Sequence, residues 1–300
     1  MSATFPSVHK VVGPVPGPTV AILGGVHGDE YEGVIAARSL ERMLRTDLVR
    51  GKVLVAAPAH PAAWTARTRE SPVDGANLAR VFPGRPDGGP TEQVAHVLTE
   101  QLIRGADLLV DLHSAGANFE MPLLCGYHGG DDRRAAESRR CADAFAANFT
   151  WHHEGPPAPG RSLSVAYDLG IPAIYVEGHG GRSIRVSDLS GYLDGVRRVL
   201  HSLGMLIESP PPSNAPVHVL GDGNTDAGIT APATGYLVVH CGVGDLVSRG
   251  DVIATVIDVE GAPLAPIVAP YTGFVMLLRR DALVSTGDTA CILASSSGET

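Results

Sequence analysis

At 300 residues the chain is long enough for one large domain or two medium ones. Hydrophobic residues make up 44% and charged residues 18%, which supplies ample material for a core and excludes wholesale disorder. A formal net charge of −9 excludes a basic field for nucleic acid or anionic lipid, and no apolar stretch approaches the roughly 20 residues that cross a bilayer. The four cysteines (Cys125, Cys141, Cys241, Cys291) show no CxxC pairing and read as reduced thiols. The opening MSATFPSVHK has no apolar signal core, so the expected compartment is the cytoplasm.

In chain order, the first two thirds alternate apolar runs with helical patterns. A strand is expected at Pro18–Gly25, a helix at Tyr31–Arg45, a strand at Lys52–Ala59, and a helix at Thr91–Arg104. A strand at Asp107–Leu112 follows, then helices at Arg133–Asn148 and Ser162–Leu169, a strand at Ile171–Val176 and a helix at Ser187–Leu203. Such alternation predicts an α/β fold, with a mixed, mostly parallel sheet flanked by helices on both faces. Ligands bind such sheets beyond the carboxyl ends of the strands. That rule selects Gly24–Glu30, Pro58–Arg80, His113–Gly116 and Glu177–Gly181.

The texture changes near residue 206. Residues 209–216 form a proline-rich connector, which divides a domain at 1–208 from a smaller all-β domain at 209–300. Within the latter, Ala231-Pro-Ala-Thr-Gly-Tyr-Leu-Val matches Ala269-Pro-Tyr-Thr-Gly-Phe-Val-Met. Gly244-Asp-Leu-Val-Ser-Arg-Gly-Asp likewise matches Ala282-Leu-Val-Ser-Thr-Gly-Asp. This duplication resembles the barrel-sandwich hybrid of biotinyl and lipoyl carrier domains. A carrier needs an acylated lysine, and the only lysines are Lys10 and Lys52. The expected role is therefore an appendage that packs on the first domain or mediates homo-oligomer assembly.

The strongest chemical signal is Gly24-Gly-Val-His27-Gly-Asp-Glu30, a strand end followed by a glycine turn and a helix start. His27 and Glu30 lie three residues apart in that turn. His113, in Asp111-Leu-His113-Ser114, follows a second strand. Two histidines and one glutamate with an open fourth position form a catalytic zinc set, with Asp111 or a backbone carbonyl to orient one imidazole from behind. With 12 histidines in the chain, an H-x-x-E spacing alone is weak evidence; the strand-end context strengthens it. His152-His153 alternates faces of a strand and reads as structural or rim.

GGVHGDEYEG, DGANLARVFPG (Asp74–Gly84), DLHS (Asp111–Ser114) and PAIYVEG (Pro172–Gly178) occur in this order across about residues 19–181. Together they resemble the succinylglutamate desuccinylase/aspartoacylase family of the zinc-carboxypeptidase-like fold group, whose bacterial members carry a C-terminal β domain. The resemblance implies one zinc ion (Zn2+) per chain held by His27, Glu30 and His113. It implies Glu177 as the catalytic glutamate acting on the attacking water, and Arg69 as the group polarising the scissile carbonyl. Arg80, Arg161 and Asn77 match substrate-binding positions, and His179 is a further candidate beside Glu177. Tyr271 is the candidate for the tyrosine that the family brings from the β domain. The family's N-L-N-R reads Asn77-Leu78-Ala79-Arg80 here, so Ala79 lacks one hydrogen-bonding group. The implied activity is zinc-dependent removal of an N-acyl group, acetyl or succinyl, from a small amino acid or related amine. Bacterial members with a similar β domain act on diaminobutyrate-like substrates, so the resemblance extends to that amine half. The rival readings are a zinc carboxypeptidase acting on a peptide C-terminus and a non-catalytic binding protein.

Overall fold

The computed structural model describes residues 4–208, 210–211, 215–224 and 227–296. Its apolar runs form strands because helices cover them from both sides. β1 (Val8–Val12) and β2 (Val15–Gly24) lead into α1 (Tyr31–Asp47). β3 (Arg50–Ala56), α2 (Pro61–Ala66), a 3-10 turn at Leu78–Arg80 and α3 (Pro90–Leu98) follow. β4 (Leu108–Leu112), β5 (Phe119–Glu120) and β6 (Leu124–His128) precede α4 (Arg133–Phe145). β7 (Phe149–His153), α5 (Ser162–Asp168), β8 (Ala173–Glu177) and α6 (Val186–Ser202) complete this part.

The strands pair in the order β1-β3-β2-β4-β8-β6-β7. β3, β2, β4 and β8 are parallel, with Val20 opposite both Val53 and Leu108 and Leu109 opposite Ala173. β6 reverses against β8, setting Leu124 opposite Glu177 and Gly126 opposite Tyr175, and β7 runs with β6. Strand alternation then sorts the side chains into two cores. Val20, Ile22, Val110, Leu112, Ile174 and Val176 pack with α1, α4 and α6. Ala21, Leu23, Leu109 and Ala173 pack with α3 and α5. β2, β4 and β8 end on one side, at Gly24, Leu112 and Glu177.

Two expected helices are shorter than their patterns. Thr91–Arg104 is an α-helix only to Leu98 and widens into a π turn over Thr99–Ile103. Arg133–Asn148 stops at Phe145, where Ala146 takes a left-handed conformation (φ 55°) that turns the chain into β7. The apolar-run pattern did not mark β6 or β7, because Leu-Cys-Gly-Tyr-His and Phe-Thr-Trp-His-His are not apolar runs, and only the reading of His152-His153 placed part of β7 on a strand.

The C-terminal third contains β9 (Val217–Leu220), β10 (Ile229–Thr230), β11 (Gly235–Val239), β12 (Leu246–Val247), β13 (Val252–Ile257), β14 (Pro263–Val268), β15 (Gly273–Arg279), β16 (Leu283–Val284) and β17 (Thr289–Ser296). The duplicated segments interlock. Gly235 and Tyr236 of the first copy pair with Val284 and Leu283 of the second. Gly273 and Phe274 of the second pair with Val247 and Leu246 of the first. One sheet is β14-β13-β11-β16; the other strands continue the large sheet, since β9 pairs with both β7 and β17. β5 reaches across to β15, with Glu120 opposite Leu278. Of the expected connector, residues 209 and 212–214 lie outside the described residues. No described helix is long and apolar enough to cross a membrane. The four cysteines are free, and all but Cys241 are buried.

Candidate active site

Glu30 is the hinge between the glycine turn after β2 and the first turn of α1. Its backbone is extended (φ −105°, ψ 96°), so its side chain leaves the helix axis and turns inward. It meets His27 from the turn and His113 from the end of β4. His27 Nδ1 lies 2.6 Å from one Glu30 oxygen and His113 Nδ1 lies 2.9 Å from the other. One ligand atom from each of the three residues falls within 4.8 Å of the others, and His27 and Glu30 are buried.

The far ring nitrogens fit this trio to a cation. His27 Nε2 lies 3.2 Å from Asn77 Oδ1, which also accepts the Ala79 N–H at 2.9 Å. An amide oxygen accepts, so the His27 proton belongs on Nε2 and the Nδ1 lone pair faces a carboxylate oxygen. Two acceptors at that distance repel unless a positive charge lies between them. Burial lowers the His27 pKa, which keeps the ring neutral. His113 Nε2 lies 3.2 Å from Asp111 Oδ1. Burial opposes charge on His113, yet Asp111 and Glu30 outweigh it and hold the imidazole well above its ordinary value. The site therefore favours positive charge between Asp111 and Glu30, which a bound cation would supply in place of the His113 proton. Neutral imidazole nitrogens and a carboxylate oxygen are the donor set zinc takes.

Second contacts fix these ligands. The Ser162 hydroxyl at the start of α5 donates to Asp111 Oδ2, and the Tyr192 hydroxyl of α6 donates to the His113 carbonyl. The Gly180 N–H donates to Glu32 at 3.0 Å, tying the loop after β8 to α1.

A cavity of about 240 Å³ opens from the trio along the sheet face. Glu177, at the end of β8, lines it, and its Oε2 makes no hydrogen bond among the described residues. Burial raises the Glu177 carboxyl to about 8; His113 counteracts this, while Glu30 adds to it. Arg69 lines the cavity with Nη1 3.1 Å from Glu30. Arg80, Arg161 and Ala79 also line it. Of the other expected site residues, Asn77 lies behind His27 rather than on the cavity lining. His179 Nε2 lies 3.4 Å from Arg280 Nη1, also off the lining. Tyr271 does not reach the cavity: its hydroxyl donates to the Leu293 carbonyl at 2.9 Å.

The C-terminal third contributes Leu277, Ile292, Asp222 and Gly223 to the lining instead. The lining also includes a cluster of His128, Trp151, His153 and Tyr175, packed ring to ring around His153, which sequence reasoning did not select. A signal for them was present: polar and aromatic residues at alternate positions where a buried strand is otherwise apolar.

A mixed sheet with a His-Glu-His cluster at its strand ends, a glutamate on the neighbouring strand and a β-rich C-terminal part defines a zinc-carboxypeptidase-like α/β fold. The chain belongs to the succinylglutamate desuccinylase/aspartoacylase family, whose catalytic-domain profile matches residues 16–203. That membership makes it a hydrolase of the deacylase type. Over 284 residues it is 32% identical to the N-alpha-acetyl-L-2,4-diaminobutyric acid deacetylase of Halomonas elongata, covering 93% of this chain and 82% of that one. It superposes on a succinylglutamate desuccinylase/aspartoacylase of Rhodobacter sphaeroides with a TM-score of 0.87 and 28% identity, covering 97% of this chain and 89% of that one. The product-bound ectoine utilization protein of Ruegeria pomeroyi matches with a TM-score of 0.87 and 26% identity, covering 96% of this chain and 88% of that one.

Proposed function

We propose that the protein is a zinc-dependent amidohydrolase that removes an N-acyl group from a small amino acid, with an N-acetylated diamino acid of the diaminobutyrate kind as substrate. One observation carries this reading: the His27-Glu30-His113 trio, Glu177 and three arginines converge on one cavity of about 240 Å³. That volume suits a single small molecule. Leu277 and Ile292 wall it, which disfavours a peptide chain and hence a carboxypeptidase. The 32% identity to a diaminobutyrate deacetylase supports the choice of amine half.

Held by His27, Glu30 and His113, one zinc ion would supply a Lewis acid for the acyl carbonyl and lower the pKa of water. A cation held beside Glu177 would favour its ionised form, and the Glu177 carboxylate removes a proton from the attacking water as its oxygen bonds to the acyl carbon. It returns that proton to the amide nitrogen as the C–N bond breaks, giving an acid and a free amine. Arg69 faces the oxygen on which negative charge develops. Arg80 and Arg161 offer planar forks to the substrate carboxylate. The test is to incubate zinc-loaded protein with N-acetyl and N-succinyl amino acids and assay free amine. Amine release from the N-acetyl diamino acid is expected; release from no member of the panel overturns the reading.

A further inference from the structure

His153 on β7 is buried, and its Nδ1 lies 2.5 Å from the Gly221 carbonyl. A carbonyl only accepts, so Nδ1 carries a proton and donates it. Burial holds the His153 pKa at about 4, which leaves the ring neutral and Nε2 an acceptor. The Tyr175 hydroxyl, 2.6 Å from Nε2, must therefore donate to it. That contact uses the only hydroxyl proton. What Tyr175 Oη offers the cavity is a pair of acceptor lone pairs.

Two glycines make this arrangement. Gly126 lies opposite Tyr175 across the β6–β8 ladder, and any Cβ there would run into the tyrosine ring and hydroxyl. Gly223, at φ +64°, packs against the edge of His153, where a Cβ would collide with the ring. The chain from Gly221 to Gly223 thus wraps His153 and carries Asp222 to the cavity lining beside it. Of the acidic groups around the cavity, Glu30 belongs to the metal trio and Asp111 receives Ser162. Asp29 accepts the Ala117 N–H at 3.0 Å through Oδ2. Although its Oδ1 has no partner among the described residues, it adjoins Glu30 in the glycine turn, whereas Asp222 is the carboxylate that acts on His153. Glu177 is assigned to the proton transfers. Among the described residues Asp222 accepts a local backbone N–H, that of Asn224, and it is exposed.

The same wall also holds buried donors. Arg161 Nε and Trp151 Nε1 make no hydrogen bond among the described residues, and Trp151 is 1% exposed. One wall thus presents donors suited to an anion and acceptors suited to a cation.

We propose that Tyr175 and Asp222 form a subsite for an ammonium group on the amine half of the substrate, while Arg161 takes its carboxylate. The inference rests on the deacylase reading for which half of the substrate reaches this wall. Tyr175 and Asp222 then determine specificity, favouring a diamino acid and disfavouring acidic side chains.

The test separates the two readings. Glu177→Gln protein, which keeps the ligand whole, is titrated calorimetrically with three N-acetyl amino acids of equal side-chain length. Their side chains end in an ammonium (2,4-diaminobutyrate), a methyl (norvaline) and a carboxylate (aspartate). The ammonium compound is expected to bind about tenfold tighter or more than the methyl compound, and the carboxylate compound weakest. Adding Asp222→Asn or Tyr175→Phe should bring the first ratio towards one; Asp222 is exposed, so its variant does not endanger the core. Equal binding of the ammonium and methyl compounds, or binding of neither, overturns the subsite. Amine release by the wild-type protein is scored separately. If wild type cleaves nothing while Glu177→Gln still discriminates, the deacylase reading falls and the subsite stands. If wild type cleaves and the binding is equal, the reverse holds.

Discussion

Asn77 Oδ1 bridges His27 Nε2, at 3.2 Å, and the Ala79 backbone N–H, at 2.9 Å. The asparagine therefore caps its own 3-10 turn and fixes the ring nitrogen that His27 presents to Glu30. This contact gives a family substrate position an orienting role. Groups that hold a ligating histidine typically influence metal affinity by about 10- to 100-fold. Asn77→Ala should weaken zinc binding by that amount in a chelator competition and leave the circular dichroism spectrum unchanged. Unaltered affinity would mean that another contact sets the His27 tautomer.

The convergence of His27, Glu30 and His113 was legible because these residues sit at strand ends, where backbone pattern and chemistry coincide: a glycine turn after β2 for His27 and Glu30, the end of β4 for His113. Most of the parallel sheet was legible for a related reason, since Val20–Leu23 and Leu108–Val110 are buried on both faces and leave uninterrupted apolar runs. The aromatic cluster on the cavity lining was not. Trp151, His153 and Tyr175 are buried polar and aromatic groups whose partners are distant in sequence, such as Gly221. The alternation that argued against His152-His153 as a chelating pair is correct, and His152 does bond elsewhere, to the Gly129 carbonyl at 2.9 Å. What alternation cannot reveal is that the His153 face borders a cavity rather than a core.

Glu177→Gln should retain zinc and fold while losing turnover. The amide cannot accept the water proton, and one side chain is assigned both proton transfers. General acid–base help is worth about 10²- to 10⁴-fold, so kcat should fall at least that far. Zinc content by elemental analysis should stay near one per chain, whereas His27→Ala and His113→Ala should lose the metal. A kcat within a few-fold of wild type would locate the base elsewhere.

The His153 pocket makes stability depend on acid. Its folded pKa is depressed from 6.5 to about 4 because burial disfavours the charged ring. The stability linked to this depression is present above pH 6.5 and is lost as pH falls towards 4, because the unfolded chain takes up the proton first. At pH 5 the loss is about 2 kcal/mol, a shift of several degrees in Tm for a chain of this size. His128, held at about 3 chiefly by burial with His153 and Arg161 adding to it, acts in the same direction. Glu177 and His113, both held above their ordinary values, act in the opposite direction, so thermal melts at pH 7 and pH 5, with chelator to remove metal linkage, read the His153 contribution as the difference between wild type and a His153 variant. A His153→Gln variant should start less stable at pH 7 and lose less between the two pH values. An equal loss in both proteins would assign the acid sensitivity to other groups.

Ala79 lies on the cavity lining between Asn77, which orients His27, and Arg80, which also faces the cavity. A carboxamide at this position, as in the family pattern, would add a donor beside the arginine. Its absence removes a contact worth about 1 kcal/mol to a neutral group and more to a charged one. It also leaves the volume of a side chain open next to the substrate carboxylate. Wild type should therefore handle N-acetylaspartate and succinylglutamate poorly, all the more so with Asp222 on the same cavity repelling a second carboxylate. Ala79→Asn should raise kcat/KM for those acidic substrates relative to the diamino acid by roughly five- to tenfold, as one added hydrogen bond allows. The preference should not invert, because Asp222 is untouched by the change. Arg80→Ala should act differently: KM should rise by about tenfold or more for every carboxylate-bearing substrate, with little preference shift. Steady-state kinetics on the three proteins, with each acidic substrate paired with its uncharged amide, checks both claims. Equal kcat/KM for acid and amide in wild type would remove the carboxylate from recognition, and an unshifted preference in Ala79→Asn would show that position 79 does not touch the substrate.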